Sequence, residues 1–182
     1  GYGYYLEQAG FGKAPLPSID GYSAFRNFVA KYASCEKAHQ LFYDYVKFIL
    51  TRTNRYTKKK YKDDPAIMSW QIGNEPRAFS KEQLPAFEKW LGEASKLIRS
   101  LDKNHLISIG SEGKFGCEGE LNCWERICAD KNVDYCNIHL WPYNWSWARK
   151  DHLQEDLEIS CQNTKEYIDE HLEVCGRIRK PL

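Results

Sequence analysis

Two hydrophobic periodicities alternate along the chain. From Cys35 to about Thr57, Leu41, Phe42, Tyr45, Val46 and Ile49 recur at helical spacing and predict one apolar helix face. Asp63-Asp64-Pro65 breaks that pattern, and Ala66 to Gly73 follows as an apolar run suited to a buried strand. Ser80 reads as an N-cap with Gln83 at a capping-box position. Leu84, Phe87, Leu91, Ala94, Ile98 and Leu101 then form a clean helical stripe that Asn104 ends. Leu106 to Gly110 predicts a second strand, Ser111 to Asp130 a glycine-bearing loop and short helix, and Tyr135 to Leu140 a third strand. Trp141 to His152 is an aromatic loop. Leu157, Cys161, Thr164, Ile168, Leu172 and Cys175 mark a last long helix, after which Pro181-Leu182 looks like the start of a fourth strand. Residues 1–34 read as loop with short helical pieces, punctuated by Gly10, Gly12, Pro15, Pro17 and Gly21.

Strands separated by helical crossovers imply parallel pairing and an α/β fold. The strand runs are continuously apolar rather than alternating, as a sheet covered on both faces requires. Polar residues follow each run: Asn74 and Glu75, then Ser111 and Glu112, then His139 with Trp141, Tyr143, Trp145 and Trp147. In barrel-type α/β folds that end of the strands is the catalytic face. Glu75 has a second reading, as a helix-entry carboxylate beside Pro76 that complements the helix dipole.

Composition narrows the function classes. The 26 basic and 25 acidic residues leave a net charge of +1, without the basic excess expected of a nucleic-acid surface. Lys58-Lys59-Lys60 with Lys62 reads as a solvated helix end. Aromatics make up 14% of the chain, which suits either a large aromatic core or a site lined by flat rings. The seven cysteines include no C-x-x-C pair, and the five histidines have no H-x-x-x-H or H-E-x-x-H spacing, so no metal or other cofactor is expected. Cys117 and Cys123 flank a loop and suit a disulfide in an oxidising compartment, whereas the odd count suits reduced thiols. Cys161, on the apolar stripe, reads as a small buried hydrophobe. No run approaches the about 18 apolar residues of a membrane span.

"YKDDPAIMSWQIGNEPR", with "SEGKFG" and "HLWPYNW" in register behind it, closely resembles glycoside hydrolase family 5 of clan A, in its endo-β-1,4-mannanase subgroup. The resemblance runs over nearly the whole chain. It implies a partial (β/α)8 TIM barrel, from the end of βα unit 3 through helix 6. Residues 1–182 would be one incomplete catalytic domain, with strands near 66–73, 106–110 and 135–140. By the same resemblance Glu75 is the general acid/base, and Asn74 hydrogen-bonds the 2-hydroxyl of the sugar in the −1 subsite. His139, which alone would read as a core histidine with a backbone partner, lines that subsite. Family members often carry Tyr two positions after this His. Here the residue is Trp141, which reads as a sugar-facing ring in place of a nucleophile contact. Trp145 is the next choice for stacking on a sugar face, since flat apolar rings with a polar edge suit pyranose faces. Arg77 has two readings, substrate contact or partner of a carboxylate.

Retaining glycosidases need a second carboxyl group about 5 to 5.5 Å from the first. The family's nucleophile is a Glu at the end of strand seven, so it is expected beyond Leu182, and the isolated chain is expected to be inactive. The implied function is double-displacement hydrolysis of a β-1,4-mannan-type polysaccharide: mannan, glucomannan or galactomannan. The implied enzyme is a monomer, secreted, periplasmic or at the cell surface, with no nucleic-acid partner and no membrane span. Two other readings stay open: a β-1,4-glucanase of the same family, and a non-catalytic carbohydrate-binding barrel.

Overall fold

The computed structural model describes residues 1–182. Helices α1 (Tyr2–Ala9), α2 (Pro17–Asp20), α3 (Tyr22–Val29) and α4 (Glu36–Thr51) precede the first strand, with a 3-10 turn at Ala30–Ser34. Then come β1 (Ser69–Gln71), α5 (Leu84–Leu101), β2 (Leu106–Ser108), α6 (Leu121–Ala129) and α7 (Leu157–Ile178). β1 and β2 pair in parallel with Ser69 opposite Leu106 and Gln71 opposite Ser108. Backbone bonds continue the pairing outward. Leu106 donates to Met68 at 3.2 Å, Ile72 to Ser108 at 3.1 Å and Gly73 to Ile109 at 3.3 Å. The paired run therefore reaches close to the limits expected for the first strand, with helix α5 as the crossover between the two parallel strands.

The third expected strand, Tyr135–Leu140, does not join a ladder. It is extended between β2 and the end of the chain, but its bonds are scattered. Asp134 donates to Ile107 and Cys136 to Pro181, each at 2.8 Å. In between, the side chain of Asn137 takes the place of a backbone partner. Its Oδ1 accepts from Gly110 N–H at 2.9 Å and its Nδ2 donates to the Ser111 carbonyl at 2.8 Å. An amide side chain thus ties this segment to the β2 edge where backbone pairing would otherwise do so. Pro181-Leu182 contributes one carbonyl and no strand.

The core forms where α5 meets the helices before it. Phe87, Leu91, Ala94 and Ile98 of α5 are buried, on the expected stripe, together with Trp90, which lay outside it and against which Tyr32 packs edge-on. Burying Phe87, Leu91 or Ile98 contributes about 1.5–3 kcal/mol each. Three expectations fail in detail. Helix α4 ends at Thr51 rather than near Thr57, and it buries Ala38, His39, Val46 and Leu50 while Tyr45 is exposed. Helix α7 buries Tyr167, His171, Val174 and Cys175, whereas Leu157, Cys161 and Leu172 face solvent. The α5 entry uses a 3-10 turn at Lys81–Gln83, and the Ser80 hydroxyl bonds Glu82 rather than capping the helix. All seven cysteines, Cys117 and Cys123 included, are free thiols.

At the end of the sheet where β2 begins, Asp102 is a buried hub. Its Oδ2 accepts from Trp70 Nε1 at 2.7 Å and from His105 Nδ1 at 2.6 Å. His105 Nε2 donates to the Asp64 carbonyl at 3.0 Å. This end carries stability and the other carries the candidate chemistry, the division expected of βα units.

Candidate active site

The β1–β2 ladder delivers Glu75. After Gly73 the chain turns, and Glu75 N–H donates to the Gly110 carbonyl at 2.8 Å. The turn is tight: a Cβ on Gly110, whose φ is +80°, would lie 1.8 Å from the Gly73 carbonyl oxygen. Glu75 itself has φ +52°, a left-handed conformation unusual for a non-glycine residue, and Pro76 follows it. The strained backbone aims the carboxylate across the strand ends.

Two donors meet one oxygen of that carboxylate. His139 Nδ1 lies 2.8 Å from Glu75 Oε1 and Trp141 Nε1 donates to the same oxygen at 2.6 Å. Facing a carboxylate, His139 Nδ1 carries the proton. Glu75 and His139 each keep 27% of their side-chain surface, so the group is half-buried and open to a ligand. A cleft of about 500 Å³ opens beside it, lined by Asn74, Glu75, Arg77, Glu112, Trp141 and Trp145 among others, with Tyr22 and Phe25 of α3 on the far wall. An apolar hollow of about 420 Å³ adjoins Asn74 and Glu75 on the other side.

The structure thus brings all five expected site residues to one place. His139 and Trp141 touch Glu75 directly, while Asn74 and Trp145 line the cleft without bonding to it. Trp141 Nε1 holds the carboxylate, a contact the sugar-facing reading did not include, and 46% of the residue remains exposed. Trp145 lies on Phe115 at 4.3 Å between centroids and beside Trp147 at 4.9 Å. Part of the aromatic loop is therefore packing against its own rings and Phe115.

Arg77 pairs with Glu112, its Nη2 donating to Oε1 at 2.8 Å and its Nε bonding Oε2. Glu112 is 3% exposed and fully engaged, so it is no free nucleophile. The residues behind this pair escaped the sequence reading. Tyr167 donates to the Glu112 carbonyl at 2.6 Å, and His171 Nε2 accepts from Lys114 N–H at 3.0 Å. Their helical spacing, i and i+4, was a signal, but it fell on polar letters. No helix is long and apolar enough to cross a membrane.

Residues 1–182 match the family described as GH family 5 beta-mannosidase-like. The chain is 32% identical over 146 residues to mannan endo-1,4-beta-mannosidase 4 of Solanum lycopersicum, covering 75% of this chain and 35% of that protein. It is 36% identical over 143 residues to mannan endo-1,4-beta-mannosidase 4 of Oryza sativa subsp. japonica, covering 70% and 30%. The chain therefore spans about a third of the curated relatives it matches. All of it superposes on a glycoside hydrolase family 5 mannosidase from Rhizomucor miehei, solved with mannosyl-fructose, with a TM-score of 0.83 and 27% identity over 42% of that protein. With a strand-borne Glu75 held by His139 and Trp141, and a family match over its whole length, the chain belongs to glycoside hydrolase family 5, in its β-mannosidase-like branch.

Proposed function

We propose that this chain is part of a retaining glycoside hydrolase acting on β-1,4-mannan-type polysaccharide, with Glu75 as its acid/base. The observation that carries the reading is the Glu75 carboxylate at the end of a paired strand, with Oε1 held by two donors in an aromatic cleft. With Oε1 occupied, Oε2 is the oxygen left to exchange a proton with substrate. Glu75 protonates the leaving glycosidic oxygen as a nucleophilic Glu attacks the anomeric carbon, then deprotonates the water that hydrolyses the glycosyl-enzyme. Asn74 binds the sugar's 2-hydroxyl, His139 and Trp141 orient Glu75 in the −1 subsite, and Trp145 offers a ring to a sugar face. The nucleophile is contributed by protein beyond Leu182. Residues 1–182 are then one portion of a (β/α)8 barrel, from the end of unit 3 through helix 6, in an enzyme that acts outside the cell as a monomer. The mannanase names of the relatives support the polysaccharide.

The test uses the enzyme carrying this chain and its Glu75→Gln variant. Turnover of mannan should fall about 10²–10⁴-fold, the usual share of general acid/base catalysis. A mannoside with an activated aryl leaving group, which needs no protonation, should retain far more of its glycosylation rate. The 182-residue chain alone should bind mannohexaose without efficient turnover. Equal loss on both substrates would remove Glu75 from the acid/base role, and faster cleavage of cellulose than of mannan would replace the substrate.

A further inference from the structure

We propose that His171, with Tyr167, is a positioning residue for the cleft: its neutral imidazole clamps the Glu112–Phe115 loop and thereby sets Arg77 and Trp145 against the substrate. The proposal rests on the reading of the cleft as a mannan site, and it adds two residues of α7 that never touch the substrate.

The clamp is built from complementary bonds. His171 is fully buried. Its Nδ1 faces the Tyr167 carbonyl at 2.6 Å and so donates, while its Nε2 accepts from Lys114 N–H at 3.0 Å. Only the neutral tautomer protonated at Nδ1 satisfies both partners. One helical turn earlier, the Tyr167 hydroxyl donates to the Glu112 carbonyl at 2.6 Å, and its ring lies parallel to Phe115 at 5.5 Å. The loop can come this close because residue 113 is glycine. A Cβ there would sit 2.5 Å from the Tyr167 hydroxyl and 2.6 Å from His171 Nε2. From the clamped loop, two routes lead into the cleft. Glu112 holds Arg77, two residues from Glu75, and Phe115 supports Trp145.

The charged and titratable neighbours of His171 are few. On its own helix are Tyr167 and Glu170, whose Oε1 is 3.6 Å from Nδ1. From the loop comes Lys114, ion-paired with Glu170 at 2.5 Å. From α6 comes the uncharged indole of Trp124, 4.5 Å away between centroids. Burial lowers the His171 pKa below its ordinary value, against the opposing pull of the Tyr167 carbonyl and Glu170. Protonation would turn Nε2 from acceptor to donor, opposite the Lys114 N–H, and release the loop.

The experiment compares the chain with His171→Gln, which can still accept from Lys114 but does not titrate, and His171→Leu, which cannot accept. Nuclear magnetic resonance follows the histidine nitrogens and the Arg77 Nε–H, and calorimetry follows mannohexaose affinity from neutral to acidic pH. The expected result is an Arg77 signal slowed in exchange at neutral pH, lost in His171→Leu, and kept in His171→Gln at acidic pH where the parent loses it. Mannohexaose affinity should fall about tenfold in His171→Leu, the equivalent of one lost hydrogen bond. An unchanged Arg77 signal in His171→Leu, or the same acidic loss in His171→Gln as in the parent, would overturn the clamp. If His171→Leu does not fold, the acidic arm of His171→Gln still decides. A parent showing the expected resonances without binding mannohexaose would refute the mannan reading and uphold the clamp.

Discussion

Glu75 depends on its two donors for direction, and the donors differ in what they risk. A hydrogen bond to an ionised group is worth about 1.5–3 kcal/mol. Trp141→Phe keeps the ring and removes the N–H, so Oε1 retains only His139. In the parent enzyme the proposed kcat on mannan should drop about tenfold or more, with a fall in melting temperature of a few degrees. A drop confined to KM would assign Trp141 to sugar binding instead. The places of Asn74 and Glu75 were legible because they lie just after an apolar run that had to be a strand, and that of His139 because it lies near the end of the third such run. The Trp141 contact was not, because an indole in an aromatic loop carries the same letter whether it stacks on sugar or donates to a carboxylate. Arg77 was undecided for the same reason: its partner Glu112 is 35 residues away, and only the β1–β2 register brings them together.

At the scale of elements, the Asp102 hub joins the β1 Trp70 to the turn that opens β2. The Asp102 side chain has no solvent exposure. Removing one partner of such a buried pair costs about 3–5 kcal/mol, which is the loss expected for Asp102→Asn in urea unfolding. Burial pulls the His105 pKa down, but its bonds to Asp102 and the Asp64 carbonyl outweigh this and raise it above the ordinary value. The stabilisation is therefore complete below the unfolded histidine value, about 6.5, and is lost as pH rises through the folded one. The unfolding free energy of the chain should decline over that alkaline window, and Asp102→Asn should flatten the decline. The buried face of helix α5 was legible apart from its entry, since all of that face but Ser95 consists of apolar letters at helical spacing. Helix α7 was not. Its buried line uses Tyr167 and His171, satisfied by specific bonds, while Leu157 and Leu172 face solvent, so the apolar pattern pointed to a rotated face. The third strand misled for a related reason: Asn137 replaces backbone pairing with a side-chain amide.

For the molecule as a whole, a net charge of +1 and a cleft whose one cation, Arg77, is already paired leave little long-range field for a ligand to feel. A neutral polysaccharide needs none. Mannohexaose affinity should change by less than about twofold between 50 and 500 mM NaCl, because screening acts on unpaired surface charge. A steep salt slope would indicate an anionic ligand. The left-handed backbone at Glu75 has a consequence for the entire fold. That conformation costs an L-residue roughly 1–2 kcal/mol, and the following proline tightens the restriction. The molecule carries this tension wherever the carboxylate is present. Glu75→Gly should relax it, but it also removes the carboxylate that His139 and Trp141 hold. Those two bonds, worth about 1.5–3 kcal/mol each, and the backbone entropy that glycine adds to the unfolded chain outweigh the relief, so the variant should unfold a few degrees below the parent. The strain at residue 75 is thus held in place by the bonds its carboxylate makes, so the aim of that carboxylate and the thermal tolerance of the fold depend on the same contacts.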